Sequence, residues 1–552
     1  MSDPSSETPP ISDPSLKEIK EDSDDHLKEI KPNSSVSKLD SSVSHDSDLS
    51  SFLEGELYDV NDTNRTYLAK SKIISDAINT IGFGRYQYGL FFVAGFGWLS
   101  DNAWPIATGL ILARLTEVDG VHAPVGKAPY LTLAQNFGLL AGALFWSLSS
   151  DIIGRRWAFN LTFLITGVFA IISGGSPNFA AVGVFDAFWS FGVGGNLPVD
   201  SAIFLEALPQ SHQWLLTVMS SWWAIGQIVA NLISWGLISN YSCDPAATVC
   251  LKKDNWGWRY FLFTMGGLTL LMFIARFAFR VFESPRFYLA RGDDERAIAT
   301  IEKIAKINGK ESPITLKDLQ DIDELNLDGK EGNEPKKNIL LEEKLSKYKF
   351  SHIRECFATR KLAISSSLVI FTWGIIGLAF PLYNAFLPYY LETRGSANKP
   401  LSVHETYRNS LIVAVLGVPG AIVAGFLVEL KIGRKGTLCG SLILTGVFLF
   451  GSTTAKTSNA NLGWNCAFSF VSNIMYGVLY AYTPEIFFTK IRGTGVGLAA
   501  SFNRVLGIFA PIIAIYADLT TSAPIFVSGA LFIFAGILTV FFPYEPRGHS
   551  SF

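Results

Sequence analysis

A few ionisable side chains stand where the sequence is otherwise apolar, and they are where chemistry could reside. Asp101 follows GWLS inside the run 89–113. Asp186 lies in the first half of the run 180–203 and Asp200 near its end, while Arg504 falls close to the middle of the run 493–517. An ionisable group in a stretch long enough to cross a bilayer is costly and needs a reason. Desolvation favours the neutral, proton-bound form of a buried carboxyl, and a neighbouring arginine favours the charged form again. An arginine–carboxylate pair that forms in one state and parts in another is therefore a workable proton switch. Asp101, Asp186 and Arg504 make up the expected proton-coupling set, with Asp101 first. Arg504 could neutralise one of the two carboxylates or bind an anionic solute. For Asp200 a structural role at the end of its span is the simpler reading.

A solute site needs polar groups on an apolar, aromatic wall. The candidates are Asn136, Gln227, Asn231, Asn384, Asn473, Tyr476 and Tyr480. Gln227 and Asn231 are four residues apart, on one helix face, and Asn473, Tyr476 and Tyr480 form a similar stripe. Each taken alone is equally well explained as a hydrogen bond between helices. Trp104, Trp222, Trp223 and Trp373 could stack on a ring or anchor a helix at the membrane interface. Other chemistry is missing from the pattern. No Gly-Lys phosphate loop supports ATP drive, and the 7 His and 5 Cys are scattered without metal-ligand spacing. No metal, cofactor, catalytic residue or nucleic-acid partner is expected.

The elements that must position these groups are membrane spans. Hydrophobic residues make up 49% of the 552-residue chain, with 42 Phe and 48 Gly, and the charges are bunched although they nearly cancel to −3. Apolar runs near the roughly 20 residues that cross a bilayer recur along the chain. They fall at 89–113, 129–149, 157–174, 180–203, 215–239, 258–281, 362–390, 409–429, 437–455, 462–482, 493–517 and 521–542. Residues 1–70 are Ser-, Asp-, Glu- and Lys-rich and read as a disordered tail; 17–31 could form a short charged helix. An amphipathic approach helix over 71–87 ends at Gly82-Phe-Gly84. The expected organisation is a tail and approach helix (1–80), a six-helix bundle (81–281), a charged central loop (282–361), a second six-helix bundle (362–542) and a short tail (543–552). The fold class is an all-α membrane protein of twelve transmembrane helices in two six-helix pseudo-repeats.

The two halves are related. SLSSDIIGRR (147–156) ends one apolar run with a carboxylate, a turn glycine and arginines, and GFLVELKIGRK (425–435) does the same later. Gly154 and Gly433, Arg155 and Arg434, Glu206 and Glu485, and Gln213 and Arg492 are each 279 residues apart. Constant spacing between unlike motifs points to transporters with a site at the repeat interface, and argues against simple charge anchors.

With DIIGRR, GRK, ESPRFYL (283–289) and PEIFFTKIRGTGVG (484–497) in place, the chain resembles the sugar-porter branch of the major facilitator superfamily. IGFGRYQ (81–87), GWLSDNAW (97–104), GVGGNLPVD (192–200), WWAIGQ (222–227) and WGWRYF (256–261) bring it closest to the synaptic-vesicle-type and metabolite:proton symporter subgroup. The resemblance implies alternating access and, usually, proton-coupled uptake of a small organic solute. It also implies a gate at the repeated turns, formed by Asp151, Gly154, Arg155, Arg156, Glu206, Glu283, Arg286, Glu429, Arg434, Glu485 and Arg492. There are departures. Ser147 replaces a usual glycine, Gln213 a usual arginine and Asp186 an arginine of span 4, and Glu429 lies one residue further from its glycine than Asp151 does. Glycines 192, 194 and 195 read as a packing face, Pro198 as a bend in span 4, and Gly417, Pro419 and Gly420 as one in span 8.

Orientation follows the long charged segments. Arg276, Arg280, Arg286, Arg291 and Arg296, then Lys344 to Lys361, lie in or beside the central loop, so that loop and both termini are expected in the cytosol. Cys243 and Cys250 then share an external loop and could pair, and Asn240 could be glycosylated on that side; the sequon at Asn64 would not be. The chain is thus expected to be a monomeric secondary transporter in the plasma membrane or a vacuolar or other internal membrane. Its partners would be lipid, a small solute and protons, with a lean to a carboxylate-bearing solute. A sugar or polyol carrier is one alternative, and a non-transporting sensor or scaffold another.

Overall fold

The computed structural model describes residues 65–116, 121, 123–124, 127–153, 155–212, 215–243, 250–279, 281–290, 292–324, 353–387, 401–487, 489–516 and 522–543. Among these residues every regular element is a helix. The chain divides into two compact units. The small one holds Met1–Ile73 and Ile314–Gly332, and the large one holds Ile74–Pro313 and Asn333–Phe552.

The helices are α1 (Arg65–Ile81), α2 (Arg85–Leu112), α3 (Tyr130–Ile153), α4 (Arg155–Gly174), α5 (Phe179–Val193), α6 (Asn196–Ala207), α7 (Ser220–Leu237) and α8 (Gly257–Ala278) in the first half. Short helices α9 (Pro285–Ala290), α10 (Asp294–Ile307) and α11 (Leu316–Glu324) follow. The second half holds α12 (Arg360–Asn384), α13 (Val403–Glu429), α14 (Gly433–Ser452), α15 (Ser458–Ile486), α16 (Thr489–Gly507), α17 (Phe509–Tyr516) and α18 (Ala523–Val540). Within the small unit, Lys70 Nζ bonds Asp323 of α11 at 2.6 Å.

Local sequence sets the helix starts. Asn178, Thr359, Ser402 and Thr457 each precede an apolar run, and each accepts a bond from a backbone N–H three residues on, which satisfies one orphan donor of the first turn. Gly82 takes φ +69 and turns the chain between α1 and α2, a conformation that costs glycine least.

Among the described residues, seven stretches are apolar and long enough to cross a bilayer by length and composition: those of spans 3, 6, 7, 8, 9, 11 and 12. Of the remaining spans, α5 is apolar but short, and α2, α3, α7 and α15 turn polar side chains to a shared cavity described below. Close packing comes from glycines. A Cβ on Gly138 would lie 2.2 Å from Ala187 O, one on Gly226 2.3 Å from Leu99 O, and one on Gly420 2.1 Å from Phe470 O, so α3–α5, α2–α7 and α13–α15 meet almost backbone to backbone. The 192–195 glycines pack similarly, Gly192 on α4 and Gly194 and Gly195 on α3.

Three spans expected as single helices are broken. Span 5 divides at Met219 between Leu215–Val218 and Ser220–Leu237. Span 4 divides at Gly194–Gly195, ahead of Pro198, which occupies the first turn of α6 where its missing N–H is not needed. Span 11 divides at Ile508. Span 8 runs unbroken through Pro419. The segment read as a charged central loop holds α9–α11, and α10 is amphipathic, burying Ala297, Ile298, Ile301 and Ile304. Arg276, counted with the charges in or beside the central loop, lies within span 6, and its side chain is 0% exposed inside the first bundle. The helix expected at 17–31 and the sequon at Asn64 lie outside the described residues.

Candidate functional site

A cavity of about 160 Å³ opens between the two bundles. From the first half it is lined by α2, α3 and α7, and from the second by α12, α13, α15, α16 and α17. All of the solute-site candidates line it: Asn136, Gln227, Asn231, Asn384, Asn473, Tyr476 and Tyr480. Asn136, Asn231 and Asn473 each donate to the carbonyl four residues earlier in their own helix, at 2.8 Å. These bonds tie none of the three to a neighbouring helix.

The aromatic wall is contiguous. Tyr480 stands edge-on to Trp223 and to Trp373, both at 4.8 Å between centroids, and Tyr476 stands edge-on to Phe380 at 5.1 Å. T-shaped contacts of this kind are favourable and rigid. Trp373 Nε1 donates to Thr483 Oγ1 at 2.8 Å, and Asn102 Nδ2 donates to Trp223 O at 3.0 Å, which hold these walls in place. Of the other tryptophans, Trp104 packs on Trp189, and Trp222 packs among Phe91, Phe92 and Phe96, away from the cavity.

The cavity's charges are Asp101 and Arg504. Arg504 Nη2 lies 3.1 Å from Asp101 Oδ1, so the two bundles are joined by an ion pair between α2 and α16. The carboxylate side chain is 1% exposed and the guanidinium 22%. Asp186 is not in the lining. It is buried beside α2, where its Oδ1 accepts from Thr108 Oγ1 at 3.3 Å and Ser190 Oγ at 3.0 Å. Asp200 is ion-paired with Arg276 inside the first bundle, a pairing that the position of Arg276 beside the central loop, near the end of span 6, does not reveal.

At the end of the bundles that carries the arginine turns, Arg434 pairs with Glu485 at 2.5 Å, which connects the two second-half motifs. In the first half Arg156 N donates to Glu283 Oε2 at 3.3 Å, and Arg286 Nη2 to Ser75 Oγ at 2.7 Å. Glu206 is half-buried. Gly154 and the side chains of Asp151, Arg155, Glu429 and Arg492 lie outside the described residues. At the opposite end Cys243 and Cys250 form a disulfide, Asn240 is exposed, and the bundles meet through Tyr407 OH to Leu110 O (2.6 Å) and Trp235 Nε1 to His404 Nε2 (3.2 Å). Outside the spans, burial and then Glu355 push the Cys356 thiol up to about 11, so it is no nucleophile at neutral pH.

Two helical bundles around a polar, aromatic-walled cavity define a membrane transporter of the major facilitator type, not an enzyme. The model of the sugar (and other) transporter family matches residues 127–549, and the chain belongs to that family. It is 71% identical over 510 residues to an uncharacterised MFS-type transporter of Schizosaccharomyces pombe, with 90% of this chain and 92% of that one covered. It is 51% identical to the MFS siderochrome iron transporter 1 of Ceriporiopsis subvermispora (90% and 94% covered). It is 27% identical to the niacin transporter NiaP of Acinetobacter baylyi (79% and 88% covered). Among solved structures, the partially occluded inward-open form of the xylose transporter XylE from E. coli superposes with a TM-score of 0.62 at 15% identity, covering 83% of this chain and 100% of that one.

Proposed function

We propose that the protein carries a small organic carboxylate with a planar ring, together with a proton. The observation that carries this reading is the Asp101–Arg504 pair, which joins the bundles inside the cavity. Protonation of Asp101 removes its attraction for Arg504. The guanidinium then presents its forked donors to a substrate carboxylate, and the ring lies against Trp223, Trp373, Tyr476 and Tyr480. Net charge enforces the coupling. The empty site holds one negative and one positive charge, and the site with both proton and anion aboard is also neutral. Either ligand alone leaves a net charge in a low-dielectric cavity, which is costly. Loading both replaces a direct bond between bundles by a bridged one and lets them rock about the site. The name of the niacin transporter relative agrees with a ring-bearing acid as cargo.

Asp186 belongs on this reading to the surrounding packing rather than to the exchange of protons. Arg156, Glu283, Arg286, Arg434 and Glu485, with Asp151, Gly154, Arg155, Glu206, Glu429 and Arg492, serve as the gate at the arginine-turn end. That end faces the cytosol and the disulfide end faces outward, with the protein a monomer in the plasma membrane.

A second reading has its own observation. The amides of Asn102, Asn136, Gln227, Asn231, Asn384 and Asn473 line the same cavity and could bind the hydroxyls of a sugar or polyol. Purified protein in vesicles, with an imposed pH gradient and labelled nicotinate, benzoate, xylose and a ferric siderophore as probes, separates these outcomes. Gradient-driven accumulation of an aromatic acid, lost in Arg504→Gln, is expected. Flux that ignores the gradient removes proton coupling, and uptake of xylose or the siderophore in preference to both acids removes the carboxylate. Acid uptake that survives Arg504→Gln overturns the role of Arg504.

A further inference from the structure

A polar seam runs behind the cavity, between α2 and span 4. Its contacts are in antiparallel register. Thr108 bonds Asp186, Trp104 packs on Trp189, and a Cβ on Gly97 would lie 1.4 Å from Asp200 Oδ2. Between the last two contacts the register brings Ser100 of α2 towards Asn196 of α6. Asn196 and Asp200 are four residues apart on α6 and so share one face. Asp101 is likewise four residues beyond Gly97, about 6 Å along α2. The carboxylate that lines the cavity and the carboxylate of Asp200 are thus about one turn apart along the same face of α2.

This seam is lined by polar atoms. Ser100 Oγ, both amide atoms of Asn196, Asp200 Oδ1 and Asp186 Oδ2 are buried with no protein hydrogen-bond partner. Buried polar atoms in folded proteins are satisfied, and where protein does not satisfy them internal water does. The groups that hold Asp200 are also lopsided. Arg276 has Val93 O at 3.1 Å and Phe159 O at 2.7 Å, and its guanidinium lies 3.9 Å from the centroids of both Phe159 and Phe163. It stays well held without a carboxylate. Among the described residues Asp200 has Arg276 alone, on one oxygen. The charged groups around Asp200 are Arg276 from α8 and Asp101 from α2. On α4 the facing residue is Phe159, and on α3 the only acid is Asp151, outside the described side chains.

We infer that Asp200 is a second proton-binding group, receiving the coupled proton from Asp101 through water held in this seam. This rests on the proton-coupling reading above. The O–H bond of the Asp101 carboxylic acid breaks, and its proton passes along water to the Asp200 carboxylate. Asp101 becomes a carboxylate that pairs again with Arg504. Arg276 remains a cation throughout, held by its carbonyls and rings, and no other reactant is consumed.

Infrared difference spectra between acid and alkaline pH test this without a substrate. Wild-type protein in lipid, Asp101→Asn, Asp200→Asn and the charge-neutral pair Asp200→Asn with Arg276→Met are compared. Two carboxylic-acid carbonyl bands that vanish on alkalinisation are expected in the wild type. One should be missing in Asp101→Asn and the other in both Asp200 variants. If Asp101→Asn removes no titrating band, the coupling reading falls and the relay with it. If that band is found but the Asp200 variants remove none, the relay alone is wrong and Asp200 is a fixed anchor. Should the Asp200 variants fail to fold, Asn196→Leu leaves both carboxylates in place while blocking the seam. It should slow nicotinate-driven acidification of vesicles roughly tenfold or more while nicotinate counterflow is unchanged; equal rates would overturn the relay.

Discussion

Two arginine–aspartate pairs meet α2 about a helical turn apart, one packed against Gly97 and the other at Asp101, and they are built for different ends. In the Arg276–Asp200 pair both side chains are 0% exposed and both come from the first bundle. Two carbonyls and two aromatic faces fix the guanidinium. In the Arg504–Asp101 pair the arginine comes from the other bundle, reaches its partner with one nitrogen at 3.1 Å, and is 22% exposed to the cavity. The contrast lies in the arginines. Arg276 has nowhere to go when its carboxylate is neutralised, whereas Arg504 has a cavity to turn into. An ion pair becomes a switch only where one partner has a second place to be.

The largest effect should come from breaking the anchored pair on one side. Arg276→Leu leaves the Asp200 carboxylate buried without its cation, a change that costs about 3–5 kcal/mol. Thermal unfolding in detergent should show a strongly destabilised or unrecoverable protein. Arg504→Gln should cost clearly less, since Arg504 is 22% exposed and its partner lines a cavity rather than closed packing. Equal losses in the two variants would erase the distinction drawn between them.

Gly97→Ala comes next. Its Cβ would lie 1.4 Å from Asp200 Oδ2 and 2.7 Å from Arg276 Nη2, so the pair must move, and it is the pair that α2 has been shaped around. Gly183→Ala and Gly267→Ala, where a Cβ meets nothing within 4 Å, serve as controls. A loss of roughly 1–3 kcal/mol or more is expected at Gly97, as for overpacking elsewhere, and almost none at the controls. A Gly97→Ala protein as stable as the controls would show that the seam is slack.

For the cavity pair the effect should be on coupling rather than on folding. Asp101→Asn keeps the shape of the side chain but holds no exchangeable proton. Accumulation driven by a pH gradient should be lost while counterflow of labelled nicotinate persists. The sign follows from the switch: wild-type uptake rises as the pH on the loading side falls, and the variant's uptake should be flat across the same range. A pH profile unchanged by Asp101→Asn would move the coupling site elsewhere.

The span pattern, the duplication and the polar candidates on the cavity wall were legible because they are local or periodic. Apolar runs report a bilayer, and Asn473, Tyr476 and Tyr480 share a face through helix spacing alone. Pairings were harder. Arg504 and Asp101 are 403 residues apart, and nothing in either neighbourhood says which of three buried carboxylates the arginine meets. Arg276 falls among the charges in or beside the central loop because it stands near the end of an apolar run, where positive residues usually mark the membrane edge. Its true signal is the glycine at 97 that makes room for Asp200, and that is visible only once α2 and α6 are side by side. The amphipathic helix Asp294–Ile307 was missed although DDERAIATIEKIAKI has both the acidic start and the apolar spacing of a helix. Its many charges caused the whole segment to be read as loop.

Asp186 gives the comparison its third member and its smallest expected effect. It is as buried as Asp200, yet its bonds are to two hydroxyls, Thr108 and Ser190, and among the described residues no arginine pairs with it. A buried carboxylate with only hydroxyl partners lacks the charge compensation that would keep it ionised. It is therefore expected to hold its proton through the cycle, with the O–H donating into the seam and Oδ1 still accepting from Thr108 and Ser190. Asparagine reproduces that pattern, with an amide N–H for the acid O–H and the same acceptor. Asp186→Asn should thus change stability by no more than about 1 kcal/mol and leave the pH profile of uptake where it was. Asp186→Leu, which removes both donor and acceptor and strands two hydroxyls, should cost more in stability and still leave the profile unmoved. A shifted or flattened profile in Asp186→Asn would mean that a carboxylate without an arginine partner takes part in coupling, and the rule drawn from the two pairs would fail.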